Sequence, residues 1–195
     1  MAGYSRRYDK ALTLAAFAHR VQKRKGSDIP YIVHPVHVSV ILLRHGFSED
    51  IAIAGLLHDV VEDQDVPLDD IEAEFGATVA EMVAALSEKK REGGIERRWE
   101  IRKREKLEQL QTTSLGTVAV KAADSLHNAR SLASDLRRQG PSFWANLARG
   151  PELTLWYYRS IATIVRQRLG AHPLVDELDE AVQDLEQAVT TAEEA

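Results

Sequence analysis

Apolar residues recur at helical spacing along almost the whole chain, and strand-like alternation is scarce. The run "VHVSVILL" at 36–43 looks most like a strand, yet it continues a helical pattern that begins after Pro35. The periodicity predicts helices near residues 5–22, 35–45, 49–61, 67–75, 77–88, 97–113, 115–138, 141–148, 152–169 and 173–191. Pro35, Pro67, Pro141, Pro151 and Pro173 fall at predicted starts, where a missing N–H costs nothing. Gly46, Gly76, Gly140, Gly150 and Gly170 fall at ends or junctions. The segment "EKKREGGIERR" at 88–98 holds the only Gly-Gly pair and reads as a mobile surface loop. The last predicted helix carries an apolar stripe of Leu174, Leu178, Ala181, Val182, Leu185 and Val189. That stripe can pack on the body or serve a homo-oligomer, and core is the better assignment. The expected architecture is an all-α, single-domain bundle of about ten helices over residues 1–195, with 171–195 an acidic C-terminal helix packed on it.

Composition narrows the class without choosing a function. A chain of 195 residues with 44% hydrophobic and 28% charged residues is an ordinary globular domain with room for a sizeable core. It has no Cys, which excludes a disulfide or a thiolate metal site. No apolar run approaches the ~20 residues that cross a bilayer, and the N-terminus is too broken by charge for a signal peptide. A cytoplasmic protein with no membrane partner is the expectation. The net charge of −5 argues against a nucleic-acid partner. The charge is uneven, however. Residues 89–106 hold nine Lys or Arg against four Glu, whereas residues 172–195 hold eight acids and no Lys or Arg. An anionic small molecule would be drawn to the basic segments, including "HRVQKRKG" at 19–26.

Candidate chemistry begins where the most apolar helix ends. At about 100° per residue, residues 51–57 present apolar or small side chains in every direction, which marks a buried helix. His58, Asp59, Glu62 and Asp63 then fall in one sector about 140° wide, with Leu56, Leu57, Val60 and Val61 around the rest. Buried carboxylates need a counter-charge, and no Lys or Arg lies between Gly46 and Glu88. A divalent metal would supply it. His34, placed before Pro35 and so expected to be extended at a helix mouth, is a further candidate ligand. Asp124, His127, Asn128 and Ser131 form a polar stripe on another helix whose opposite face, with Ala122, Leu126 and Ala129, packs. His19, His37, His45 and His172 read as ordinary core, cap or surface histidines.

Taken in order, "HP" at 34–35, "LLHDVVED" at 56–63 and "KAADSLHNAR" at 121–130 resemble the HD superfamily of metal-dependent phosphohydrolases. Together with "QKRKGSDIPYIVHP" at 22–35, "FGATVAEMVAALSE" at 75–88 and "WEIRK" at 99–103, they resemble more narrowly the RelA/SpoT-type guanosine-3′,5′-bis(diphosphate) 3′-pyrophosphohydrolases. The short members, the small alarmone hydrolases, are nearest in kind, and the resemblance runs from about residue 8 to about 166. It implies an HD-type helical bundle in which His34, His58, Asp59 and Asp124 bind one Mn²⁺ per chain. It implies that Glu62 and Asp63 handle the attacking water. It also implies that Arg24 packs on the base, with Lys25 beside it, and that Asn128 and Ser131 contact the nucleotide. Two positions depart from the family: Ser131 stands where Thr is frequent, and Ser125 replaces a basic residue, which bears on a phosphate contact. No synthetase domain is expected.

Two His and two Asp suit Mn²⁺, with Fe²⁺, Co²⁺ or Zn²⁺ as alternatives. The implied reaction releases pyrophosphate from guanosine tetra- or pentaphosphate. Arg102 and Lys103 either offset substrate charge or lie on a solvated face. Two other readings remain open at this point. One is an HD phosphohydrolase acting on an adenosine alarmone, a nucleotide pyrophosphate or a phosphorylated dinucleotide. The other is a nucleotide-binding module without turnover.

Overall fold

Helical segments and their stops follow the predicted pattern closely. The computed structural model describes residues 5–147 and 149–194. Among these residues ten α-helices occur: α1 (Arg6–Ala18), α2 (Val33–Arg44), α3 (Glu49–Leu57), α4 (Val60–Gln64), α5 (Leu68–Phe75), α6 (Ala77–Leu86), α7 (Trp99–Leu110), α8 (Leu115–Gln139), α9 (Pro151–Leu169) and α10 (Pro173–Glu193). Ser5 and Ser114 cap α1 and α8 by accepting the N–H of Tyr8 and of Thr117. None of the helices is long and apolar enough to cross a membrane.

Four local expectations change. The predicted helix over 49–61 is two helices, because the backbone breaks at His58 and Asp59. The helix over 5–22 stops at Ala18, and residues 23–30 fold back as a tight loop in which Lys23 pairs with Pro30. The segment 141–148 gives a 3-10 helix, Gly140–Asn146. The expected loop at 88–98 contains a two-stranded hairpin, β1 (Arg91–Glu92) against β2 (Ile95–Glu96). Its two-residue turn uses Gly93 and Gly94 at φ 55° and 82°, the doubly positive φ of the tight hairpin turn that glycine permits.

Two groups of buried side chains meet along α8. One gathers Val38 and Leu42 of α2, Ile53 and Leu56 of α3, Ile71 and Phe75 of α5 and Val79 of α6 against Ala119 and Ala123. The other gathers Leu107 of α7, Ile161 of α9 and Leu178 and Leu185 of α10 against Ala122, Leu126 and Ala129. α8 is therefore packed on both flanks, and its polar stripe looks out through the seam between them.

The C-terminal stripe is core: Leu174, Leu178, Ala181, Val182, Leu185 and Val189 are all buried, with α10 packed on α8 and α9. The acids of α10 are not simply solvated. Asp184 pairs with Arg137, Asp176 and Asp179 with Arg166, and Glu186 with Arg159. Being exposed, these pairs add little to stability.

Candidate metal centre

Three separate elements bring four ligand-type side chains together. His34 comes from the first turn of α2, His58 and Asp59 from the break between α3 and α4, and Asp124 from the middle of α8. His34 is helical and buried, not extended as expected. The residue before a proline is biased against the helical region but not barred from it, and Pro35 in the first turn needs no N–H partner. His34 Nε2 lies 3.2 Å from Asp124 Oδ1 and 3.8 Å from Asp59 Oδ2. His58 Nε2 lies 3.0 Å from Asp59 Oδ2 and 3.8 Å from Asp124 Oδ1. One donor atom from each of His34, His58 and Asp59 falls within 4.8 Å of the others.

The His58 ring shows why this cluster suits a cation. Its Nδ1–H donates to the Gly55 carbonyl at 2.8 Å, which leaves Nε2 with a lone pair. That Nε2 is buried and makes no hydrogen bond, although a carboxylate oxygen stands 3.0 Å away. A bare nitrogen facing carboxylate oxygens is repulsive unless a positive charge lies between them. Without a metal, a proton supplies that charge: burial alone would lower the His58 imidazole, but Asp59 and then Asp124 reverse this and bring it to about 9, and a divalent ion would take that proton's place. Burial would raise both carboxyls, yet His58 holds Asp59, and Lys121 with His34 holds Asp124, below the usual range. Two imidazoles and two anionic carboxylates form a mixed N/O donor set that fits a divalent ion.

A surrounding layer orients these four residues. Tyr31 donates its hydroxyl hydrogen to Asp59 Oδ2 at 2.6 Å; burial, and then Asp59, push its phenol up, so it stays a donor. Lys121 Nζ donates to Asp124 Oδ2 at 2.8 Å, and Asn128 Nδ2 to Asp124 Oδ1 at 2.6 Å. His34 Nδ1 and His127 Nδ1 are 2.8 Å apart, and His127 Nε2 and His37 Nδ1 are again 2.8 Å apart. In the sequence, Tyr31 and Lys121 carry no site role, His37 reads as an ordinary histidine, and His127 is offered only as a member of the polar stripe of α8. Tyr31, three residues before His34, and Lys121, one turn before Asp124, were within reach of a spacing argument. The His37–His127 contact joins two helices and had no local signal.

The acid pair has a cation after all. Lys90, just past the cation-free stretch of sequence, lies 2.9 Å from Glu62 and 2.6 Å from Asp63. Glu62 also accepts the Glu88 N–H at 2.7 Å, and Asp63 accepts from Gln22 Nε2 at 3.1 Å.

Arg24 reaches across the site mouth to donate to Asn128 Oδ1 at 2.8 Å and lies over the Tyr31 ring at 5.7 Å. Lys25 is exposed beside it. Ser131 turns back to donate to the His127 carbonyl at 2.8 Å, and Ser125 is buried with its hydroxyl unpaired. Arg102 and Lys103 do not lie on a solvated face: both are largely buried and paired with Glu88.

Comparison with known proteins fits this geometry. The family described as HD domain matches residues 11–150. The chain belongs to the HD domain family. It is 37% identical over 179 residues to the mouse guanosine-3′,5′-bis(diphosphate) 3′-pyrophosphohydrolase MESH1, covering 90% of each chain. The human MESH1 protein is 40% identical over 139 residues, covering 70% of this chain and 73% of that one. The bifunctional (p)ppGpp synthase/hydrolase SpoT of Escherichia coli is 33% identical over 179 residues, 90% of this chain but 23% of its own length. Among solved structures, a metazoan ortholog of SpoT that hydrolyses ppGpp superposes with a TM-score of 0.75 at 27% identity, covering 97% of this chain and 99% of that one. A Listeria monocytogenes protein superposes with a TM-score of 0.67 at 37% identity, covering 77% and 96%.

Proposed function

We propose that this HD domain protein is a divalent-metal-dependent guanosine-3′,5′-bis(diphosphate) 3′-pyrophosphohydrolase, with Mn²⁺ as its metal and the cytoplasm as its place of action. The observation that supports it most is the meeting of His34, His58, Asp59 and Asp124 beside the Glu62–Asp63 pair. The pyrophosphohydrolase relatives add weight, aligning over nine-tenths of the chain. The substrate is a small-molecule nucleotide, (p)ppGpp; no nucleic acid or membrane partner is part of this reading.

A divalent ion held by these four residues would supply Lewis acidity and lower the pKa of water. The side chains do the rest. Glu62 or Asp63 orients the attacking water and takes its proton. The water oxygen bonds to the phosphorus attached at the ribose 3′ oxygen. The P–O3′ bond breaks, pyrophosphate departs, and the 3′ oxygen takes up a proton to leave GDP or GTP. Arg24, over the Tyr31 ring, offers a face for the purine, and the exposed Lys25 offers charge for phosphate. Asn128 links Arg24 to Asp124 and so couples the base pocket to the metal ligands.

The test is a substrate panel. Metal-stripped protein is supplied with Mn²⁺ and offered guanosine and adenosine 3′-pyrophosphates and phosphorylated dinucleotides, with products separated by chromatography. The expected result is GDP and pyrophosphate from ppGpp, abolished by chelation and by Asp124→Ala. Faster turnover of an adenosine compound would move the substrate assignment, and no turnover with any divalent metal would reject the reaction.

A further inference from the structure

The proposed reaction needs nothing from His37 or His127, yet the structure lines these rings up with a candidate ligand. His34 Nδ1 faces His127 Nδ1 at 2.8 Å, and His127 Nε2 faces His37 Nδ1 at 2.8 Å. The ring centroids are 4.9 Å and 4.7 Å apart, with interplanar angles of 42° and 40°. His34 is buried and His37 is exposed, so the row runs from the metal centre to solvent.

A neutral imidazole carries one donor and one acceptor, so each hydrogen bond in the row dictates the next. There are only two self-consistent registers. In the first, His34 keeps its proton on Nδ1 and donates to His127 Nδ1; His127 then donates from Nε2 to His37 Nδ1, and His37 turns Nε2–H to water. In the second, every proton sits on the opposite nitrogen, and His34 carries it on Nε2, the atom that faces Asp124 and Asp59. Only the first leaves the His34 Nε2 lone pair free to bind a cation. Passing from the second to the first moves a proton out of His37 into His127 and one out of His127 into His34. His34 loses its Nε2 proton and His37 gains one from water, so the count is unchanged.

We propose that His127 and His37 are positioning residues that hold His34 in the tautomer able to ligate the metal. The proposal rests on the reading of His34 as a metal ligand. Hydrogen-bonded partners behind a ligating imidazole typically change metal affinity by about 10–100-fold when removed. Here two further histidines take that role in series, where a single carboxylate or carbonyl would suffice.

The test measures metal binding, not turnover. Mn²⁺ affinity of stripped protein is read by calorimetry for wild type, His127→Phe, His127→Asn and His37→Ala, with the melting temperature of each in chelator. Phe keeps the ring and removes the acceptor; Asn returns an acceptor near the Nδ1 position. The expected result is a ~10–100-fold loss for His127→Phe, substantial recovery in His127→Asn, and a smaller loss for His37→Ala, where water can replace the exposed ring. Equal affinity of wild type and His127→Phe would overturn the proposal. Failure of wild type itself to bind would instead reject the metal centre. A second arm needs no variant: one-bond ¹H–¹⁵N spectra of Zn²⁺-loaded wild type should show His127 protonated on Nε2. A proton on His127 Nδ1 would overturn the proposal even if the Phe variant did not fold.

Discussion

Gly55 lies where α3 crosses α2, and a Cβ placed on it would stand 2.7 Å from Leu42 Cδ1. The same residue's carbonyl receives the His58 imidazole. One glycine thus sets how closely the helix bearing His34 approaches the helix ending on His58. Gly55→Ala should force Leu42 and Val38 to shift, at a cost of about 1–3 kcal/mol for an overpacked core. Urea denaturation would show it, and metal affinity should fall with it. Unchanged stability would mean that α2 and α3 are not tightly docked at this point.

Tyr31 acts more locally. Its hydroxyl makes a 2.6 Å hydrogen bond to Asp59, while its ring carries Arg24. Tyr31→Phe keeps the ring and removes only that bond. Metal affinity should drop about tenfold, with little change in melting temperature in chelator. A variant that binds metal like wild type would show that Asp59 needs no such partner.

Lys90, one residue before the exposed strand β1, sits between two proposed catalytic carboxylates. Its partial exposure limits its contribution to folding to about 1 kcal/mol or less. Without it, Glu62 and Asp63 stand side by side with one fewer restraint on their geometry. Lys90→Ala should therefore lower kcat roughly tenfold through lost orientation, while the melting curve barely moves. The reverse pattern, a large loss of stability with normal turnover, would assign Lys90 a structural role instead.

Lys106 provides a pH test away from the site. Burial, and then Lys121, lower its ammonium to about 8, although Nζ donates to the Ala85 and Ser87 carbonyls and to Gln109. Between about 8 and the unfolded value near 10.4, the unfolded chain binds more protons than the folded one, so stability rises with pH across that window. Relative to Lys106→Met, wild type should gain on the order of 3 kcal/mol between pH 8 and 10.5. A wild-type-minus-variant difference that is flat with pH would contradict this.

Much of this molecule was legible because its helices are amphipathic and punctuated. Proline starts, glycine stops and a 3.6-residue period placed the helices within a few residues, and the polar sectors of α3–α4 and α8 exposed the acids and His58. What periodicity could not show was the break at His58–Asp59, since the apolar residues Leu57, Val60 and Val61 keep helical spacing straight through it. The Gly-Gly hairpin reads as a loop in the sequence because its strands are only two residues long. The long-range partners were hidden for another reason. Lys90 with Glu62, His37 with His127 and Arg24 with Asn128 meet only after the chain has folded, and no spacing rule links positions 104 residues apart. Resemblance to the HD phosphohydrolases supplied His34 and Asp124 as ligands; periodicity offered them only as candidates.

Metal counting tests the central claim most directly. Stripped protein is dialysed against a fixed free Mn²⁺ concentration and the bound metal is measured per chain, for wild type and for His34→Ala, His58→Ala and Asp124→Ala. The four-residue centre predicts one ion per wild-type chain and almost none in each variant at that concentration. No bound ion in wild type, or one ion retained in all three variants, would contradict it.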